Sequence, residues 1–343
     1  MRVVIAGYYG YRNWGDEGAL ATLLQVLPLE AATVLSGDPA FTHSTYGVHA
    51  VPRMEWRAVR MAIQHSDALI FGGGSLLQDA TSLRSLLYYL ALIHWGMRAH
   101  GQVWLVGQGI GPLRRAISRK LVGVVLRRVP LISVRDAESE AFLRALGITN
   151  VHVDADLTWA LEAQPAHLML ETDSRWVGLA PRSWRDTPIQ AVFARLCQQL
   201  RDEGYRPLLI PMQETQDRAL CEAIAAQSGA EVAPSPTHPA QLLGLMRGLE
   251  AMMSMRLHGA IFAAAQGVPV LCISYDPKVD ALAHQLRMPR VSLAEAEQEL
   301  PVAWQALIRQ RDALQEQLRK VVPNLRARAQ QLLEQLRARL VKA

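Results

Sequence analysis

Short, nearly continuous apolar runs alternate with helix-patterned stretches along almost all of this 343-residue chain, and that alternation restricts the fold more than any other feature. Eleven runs read as strands: residues 3–8, 32–37, 68–74, 103–109, 131–136 and 151–156, then 176–182, 207–212, 230–235, 251–256 and 269–274. Strands apolar on both faces and separated by helices predict parallel sheets covered on both sides. Eleven strands exceed what one compact doubly wound sheet holds, so the chain is expected to divide. Residues 160–175 lack periodicity, contain Pro165 and end polar, which makes them the expected linker. The prediction is an α/β protein with two Rossmann-like domains, 1–165 and 170–300, facing each other across a cleft. A basic helical tail over 301–343 follows, with Pro323 expected to break it into two helices.

Composition narrows the functional classes. Half of the chain is apolar and a fifth charged, the balance of a globular protein with a large core. Cys197, Cys221 and Cys272 form no CxxC pair and no metal-ligand rhythm, so they read as small buried hydrophobes in a reducing compartment. The N-terminus shows no export-signal pattern, and the most apolar stretch, 85–97, is too short to span a bilayer. The expected location is the cytoplasm. The net charge of +5 is unevenly placed: 301–343 carries nine Lys and Arg against three acids, and 113–128 carries six and no acid. Such helices either lie against anionic lipid at the inner face of the cell membrane or form an ordinary solvated face. Nucleic acid is not an expected partner, because no aromatic residues are interleaved with the charges and no recognition module is visible.

In open α/β sheets ligands sit beyond the strand carboxyl ends, where helix N-termini present free N–H groups. Every unusual motif falls at such a place. GYYGYRNWGDEGAL (7–20) follows the first run; its glycines allow close backbone approach, and Asp16 and Glu17 open the next helix. Helix capping explains one of these acids more easily than both. GxGxxG is absent from it, so it is no dinucleotide fingerprint. FGGGSLLQD (71–79) places Gly73, Gly74 and Ser75 either in an anion nest at a helix start or in a plain tight turn. GQGIGP (107–112) has Gln108 as a polar handle. Arg135 of SVRD ends a strand, with a fork suited to phosphate or carboxylate; a pair with Asp136 is the alternative. In SMRLHGAIFAAAQGVPVL (254–271), Arg256, a helix N-terminus and His258 together would bind an anion and supply a proton. Lys278 of SYDPKVD stands at a helix start, where the dipole disfavours a cation and a ligand anion would explain it. GxSxG, HExxH and clustered His/Asp sets are absent, so no metal site is expected.

Apart from GQGIGP, these motifs in this order resemble those of the polysaccharide pyruvyltransferases, with the closest similarity to the bacterial S-layer-associated (CsaB-type) members, over about residues 1–290. The resemblance implies a GT-B-like fold and transfer of a pyruvyl group from phosphoenolpyruvate to a sugar, forming a ketal and releasing phosphate. For those members the acceptor is N-acetylmannosamine in a lipid-linked cell-wall polymer precursor. Carried over to this sequence, Arg135, Arg256 and Lys278 look like donor-binding cations and His258 like the catalytic acid. Asp16 would act as base or orienter. No cofactor is implied beyond phosphoenolpyruvate as co-substrate.

Protonation of C3 of the enol phosphate makes C2 electrophilic, and two sugar hydroxyls then close the ketal as phosphate leaves. On this reading the opening turn is an acceptor wall of the N-terminal domain, with Tyr11 and Trp14 for a sugar face and Asn13 and Asp16 for hydroxyls. Two rivals stand beside it. A GT-B glycosyltransferase would use a nucleotide sugar, but the helix GAIFAAAQ lacks the acid such enzymes place on the ribose. A non-catalytic peripheral membrane protein would leave Arg135, His258 and Lys278 without a reason.

Overall fold

Thirteen strands, among the described residues, form two separate all-parallel sheets. The computed structural model describes residues 1–80, 82–166 and 170–342, so part of the expected linker lies outside the described residues. The chain divides into two units. One comprises Met1–Tyr11, Asp16–Leu161 and Leu325–Ala343; the other comprises Arg12–Gly15 and Glu162–Asn324.

The first unit holds seven strands: β1 (Val3–Tyr9), β2 (Ala32–Ser36), β3 (His49–Pro52), β4 (Ala68–Gly72), β5 (Val103–Gln108), β6 (Leu131–Val134) and β7 (Val151–Val153). Helices α1 (Trp14–Leu24), α2 (Pro39–Tyr46), α3 (Trp56–Gln64), α4 (Leu83–Ala99), α5 (Ala116–Leu126) and α6 (Ala137–Ala145) connect them. The order β3-β2-β1-β4-β5-β6-β7 reverses direction beside β1. Right-handed crossovers therefore put α1 and α2 on one face and α3 to α6 on the other. Central strands are buried along their length, as in β4 and β5. Val4, Leu69, Phe71, Leu105 and Ile132 meet Leu86, Ile93 and Val122 of the covering helices in one core.

The second unit repeats the scheme with six strands: β8 (Trp176–Ala180), β9 (Arg206–Leu209), β10 (Glu231–Val232), β11 (Leu249–Ser254), β12 (Val270–Ser274) and β13 (Arg290–Ser292). Their order is β10-β9-β8-β11-β12-β13. Its helices are α7 (Ile189–Asp202), α8 (Glu214–Ser228), α9 (Pro239–Met246), α10 (Leu257–Ala265), α11 (Pro277–Leu286) and α12 (Ala296–Arg309). Cys197, Cys221 and Cys272 are all free and buried in this unit.

All eleven expected runs contain a strand, whereas β3 and β13 are additional. Both lie at sheet edges, and each buries a single apolar side chain, Val51 or Val291. The tail departs from expectation in one respect. The break falls at Gln310, and Pro323 lies inside α13 (Arg311–Lys342). An interior proline costs about 3 kcal/mol. Against that cost the helix buries Leu318, Leu325, Ala329, Leu332 and Leu336, each at 3% exposure or less.

Candidate functional site

The second sheet switches direction between β8 and β11, and a crevice opens beyond the carboxyl ends of two such strands. Ala180 pairs with Ser254 at those ends. Arg256 follows as the N-cap residue of α10, and His258 sits in its first turn. The Ser254 hydroxyl donates to the Arg256 carbonyl at 2.6 Å. A side chain at Gly259 would come within 2.6 Å of that hydroxyl oxygen, so glycine lets the helix press onto the strand ends.

Arg256 is only 9% exposed, and an acid that the sequence did not single out holds it. Its Nε donates to Asp217 Oδ2 at 3.0 Å and its Nη2 to the other carboxylate oxygen. Gln213 and Gln216 accept at 3.4 and 3.3 Å. Asp217 is fully buried and also accepts the Gln213 N–H at 2.9 Å. This fork-on-fork contact fixes the guanidinium plane. The remaining N–H groups face neutral amides over long contacts, which an anion can replace. Asp217 lies in the first turn of α8 among other polar residues, where an acid reads as ordinary helix capping, so no motif marked it.

Gly15 lies against His258. A Cβ there would stand 1.9 Å from Nδ1 and 2.1 Å from Cγ. The segment Arg12–Gly15 is stitched into the second unit: Trp14 N–H donates to the Met212 carbonyl at 2.9 Å, and Glu214 N–H donates to the Arg12 carbonyl at 3.2 Å. Asn13 forms a bridge with Gln213 and stays partly exposed. Two acceptor-side expectations change here. Asn13 and Trp14 belong with the second unit. Trp14 is fully buried with its indole N–H on Glu214 at 3.3 Å, so it presents no ring face to a sugar. Tyr11, in the first unit, is partly exposed and its ring is stacked on Tyr8 at 4.3 Å.

Lys278 lies in the first turn of α11, its Nζ 3.8 Å from Asp276, and its side chain is 33% exposed. A further cation escaped sequence reading. Arg182, just past β8, donates to the Tyr275 hydroxyl at 2.7 Å and lies 5.6 Å from the Trp184 ring centre. Among the described residues it has no carboxylate partner.

In the first unit the switch point lies between β1 and β4, flanked by Asp16 and the Gly73–Ser75 turn. Gly73 and Gly74 have φ of +69° and +78°, and a Cβ on Gly74 would come 2.7 Å from Asp16 Oδ1. The anion-nest expectation does not survive. No helix starts at Ser75, since α4 begins at Leu83 with Ser82 as cap, and the Gly73 N–H is taken by the Val106 carbonyl at 2.8 Å. A carboxylate already lies beside the turn. Gln108 supports it from below, donating to the Gly73 carbonyl at 2.5 Å.

Arg135 adopts the intramolecular pairing. It donates to Asp156 at 3.0 Å and to Ser75 at 3.0 Å, with Asp136 3.5 Å away, and is 8% exposed. Glu17 is a structural acid. It accepts the Gly10 N–H at 2.8 Å and the Tyr46 hydroxyl at 3.1 Å, and burial pushes its carboxyl up to about 7. Among the described residues no group of three His, Cys, Asp or Glu is placed to hold a metal ion.

The sequence model of the family described as polysaccharide pyruvyl transferase matches residues 12–277. The amylovoran biosynthesis protein AmsJ of Erwinia amylovora is 21% identical over 260 residues, covering 67% of this chain. The match spans 62% of that relative's length. Among solved structures, Staphylococcus aureus MnaA in a co-structure with UDP has a TM-score of 0.68 at 10% identity, covering 99% of this chain and 97% of that one. The UDP-GlcNAc 2-epimerase of Neisseria meningitidis bound to UDP-GlcNAc has a TM-score of 0.62 at 11% identity, covering 97% and 99%. At such identities the likeness establishes the two-sheet α/β fold alone.

Proposed function

This chain belongs to the polysaccharide pyruvyl transferase family, and from that premise we propose that it transfers a pyruvyl group from phosphoenolpyruvate to a sugar, closing a ketal and releasing phosphate. The observation that carries the reading is the α10 N-terminus, where a cation locked by Asp217 and an imidazole seated against Gly15 occupy a sheet switch point. Helix N–H groups and Arg256 suit the donor's phosphate and carboxylate, and Lys278 adds an adjustable cation. His258 delivers a proton to C3 of the enol phosphate, leaving C2 open to a sugar hydroxyl. In the first unit Asp16 serves as base or orienter for a hydroxyl, and Arg135, paired as it is with two acids, contributes to donor binding by exchanging one of them for the donor. The acceptor is N-acetylmannosamine in a lipid-linked cell-wall precursor, as in the S-layer-associated members the motifs resemble, and the reaction takes place at the cytoplasmic side.

The test is direct. Incubation with phosphoenolpyruvate and the acceptor should release phosphate and add one pyruvyl group by mass, and His258→Ala should abolish both. Normal turnover by His258→Ala would overturn the assigned acid. A glycosyltransferase using a nucleotide sugar is the second reading that the same two-sheet α/β fold accommodates. Against it stands α10, which carries no acid for a ribose. Protection from thermal unfolding by UDP-sugars, with none by phosphoenolpyruvate, would establish that second reading instead.

A further inference from the structure

From residue 80 to residue 135 the chain contains no Asp or Glu and nine Lys or Arg, where its average composition would give about five acids. The structure concentrates this bias on one surface. Helices α3, α4 and α5 pack side by side in one layer of the first unit, with no acid in any of the three. Glu55, just before α3, is exposed beside them, and Asp79 is turned inward to accept the Arg114 and Arg115 N–H groups at 2.7 and 3.0 Å. Exposed on and around the layer are Arg57, Arg60, Arg84, Arg98, Lys120 and Arg128.

The same layer holds the unburied apolar surface. Of nine large apolar side chains exposed among the described residues, six belong to it: Met54, Trp56, Met61, Leu87, Ile117 and Val124. On α5, Ile117 and Val124 are 55% and 56% exposed and stand two turns apart with Lys120 between them, opposite the buried face of Val122 and Leu126. Trp56 leans on α4, its ring 5.4 Å from those of Tyr88 and Trp95, and keeps 43% of its surface open. Water alone does not favour a helix apolar on both faces. Large apolar residues set among unpaired cations match an anionic bilayer, whose acyl boundary takes the wedge and whose headgroups take the charge.

We infer that the α3–α4–α5 layer docks this protein on an anionic phospholipid membrane. The basic tail is the weaker candidate, because Arg311, Arg319 and Lys320 pair with acids and Arg326 and Arg328 donate to carbonyls. Docking does not depend on pyruvyl transfer, and the two are tested separately.

The experiment is cosedimentation of the full chain with phosphatidylcholine vesicles and with vesicles about one-third phosphatidylglycerol. The expected result is at least tenfold tighter binding to the anionic vesicles, weakening with salt. Lys120→Gln with Arg128→Gln should weaken it about 25-fold, at roughly fivefold per cation. Ile117→Ser with Val124→Ser should weaken it at least tenfold, while Arg337→Gln with Arg339→Gln should leave it unchanged. Brominated acyl chains should quench tryptophan fluorescence, and Trp56→Phe should remove that quenching. These exposed positions leave the fold intact, which unchanged melting of each variant checks. Equal binding to neutral vesicles, or loss of binding through the tail variant alone, would overturn the proposal. So would duplex DNA binding that the Ser variant leaves unchanged while vesicles go unbound, or a dimer that the Ser variant disperses. Phosphate release with a water-soluble acceptor should be the same in all variants, so failure of docking and failure of the catalytic reading give different results.

Discussion

Gly15 and His258 touch so closely that a methyl group on Gly15 would stand 1.9 Å from the imidazole Nδ1. Glycine is required there for space, since its backbone is not in the left-handed region. Gly15→Ala should therefore displace the ring, or the Arg12–Gly15 segment, by about an ångström. Misplacement on that scale costs on the order of 10²-fold in rate. The expected outcome is a folded protein with phosphate release lowered about that much. Unchanged turnover would mean that the ring's position is immaterial.

Asp217 offers a second lever, because it is fully buried and holds Arg256 through both carboxylate oxygens. Asp217→Asn keeps the volume but removes the charge, leaving Arg256 as an uncompensated buried cation. Breaking such a pair costs about 3–5 kcal/mol. Denaturant titration should show that loss. Phosphoenolpyruvate should recover more stability in the variant than in the wild type, since it would replace the missing anion. Equal ligand protection in both would remove Arg256 from the donor site.

Lys278 differs from the arginines in being one-third exposed, with its acid partner at 3.8 Å. Lys278→Met should leave stability within about 0.5 kcal/mol, as exposed substitutions do. The KM for phosphoenolpyruvate should rise about tenfold, the loss of one charge contact. A change in melting temperature without a change in KM would make Lys278 a structural residue.

The alternation of apolar runs revealed every central strand, because strands buried on both faces leave an unbroken apolar trace. At the sheet edges the trace is uneven: β3 and β13, with one buried side chain each, lie outside the runs, whereas β7 and β10, buried no better, lie inside two of them. Arg256 and His258 were legible for a topological reason: they stand at a strand-to-helix turn. Their supports were not legible. Asp217 is far away in sequence, and Gly15 meets His258 only through the fold. Trp14 misled because an aromatic in a glycine-rich turn reads equally well as a sugar platform or as a plug, and only burial separates the two.

Glu17, also in that turn, carries a pH signature. Burial, and secondarily the charge of Asp16, raise its carboxyl from the ordinary 4.5 to about 7, against hydrogen bonds from Gly10 and Tyr46 that lower it. A raised folded value means that the folded state holds the proton more tightly than the unfolded state does. Its stabilising contribution is therefore complete below about pH 4.5 and is lost as pH rises through 7. The loss amounts to about 3 kcal/mol over that window. Glu17→Gln keeps an acceptor for Gly10 and cannot titrate, so its stability should lack this fall. Denaturant unfolding of both proteins at pH 4.5, 6 and 8 should show the difference moving by that amount in favour of the variant. Parallel curves would mean that Glu17 stays ionised in the folded turn throughout, held by Gly10 and Tyr46 in spite of its burial.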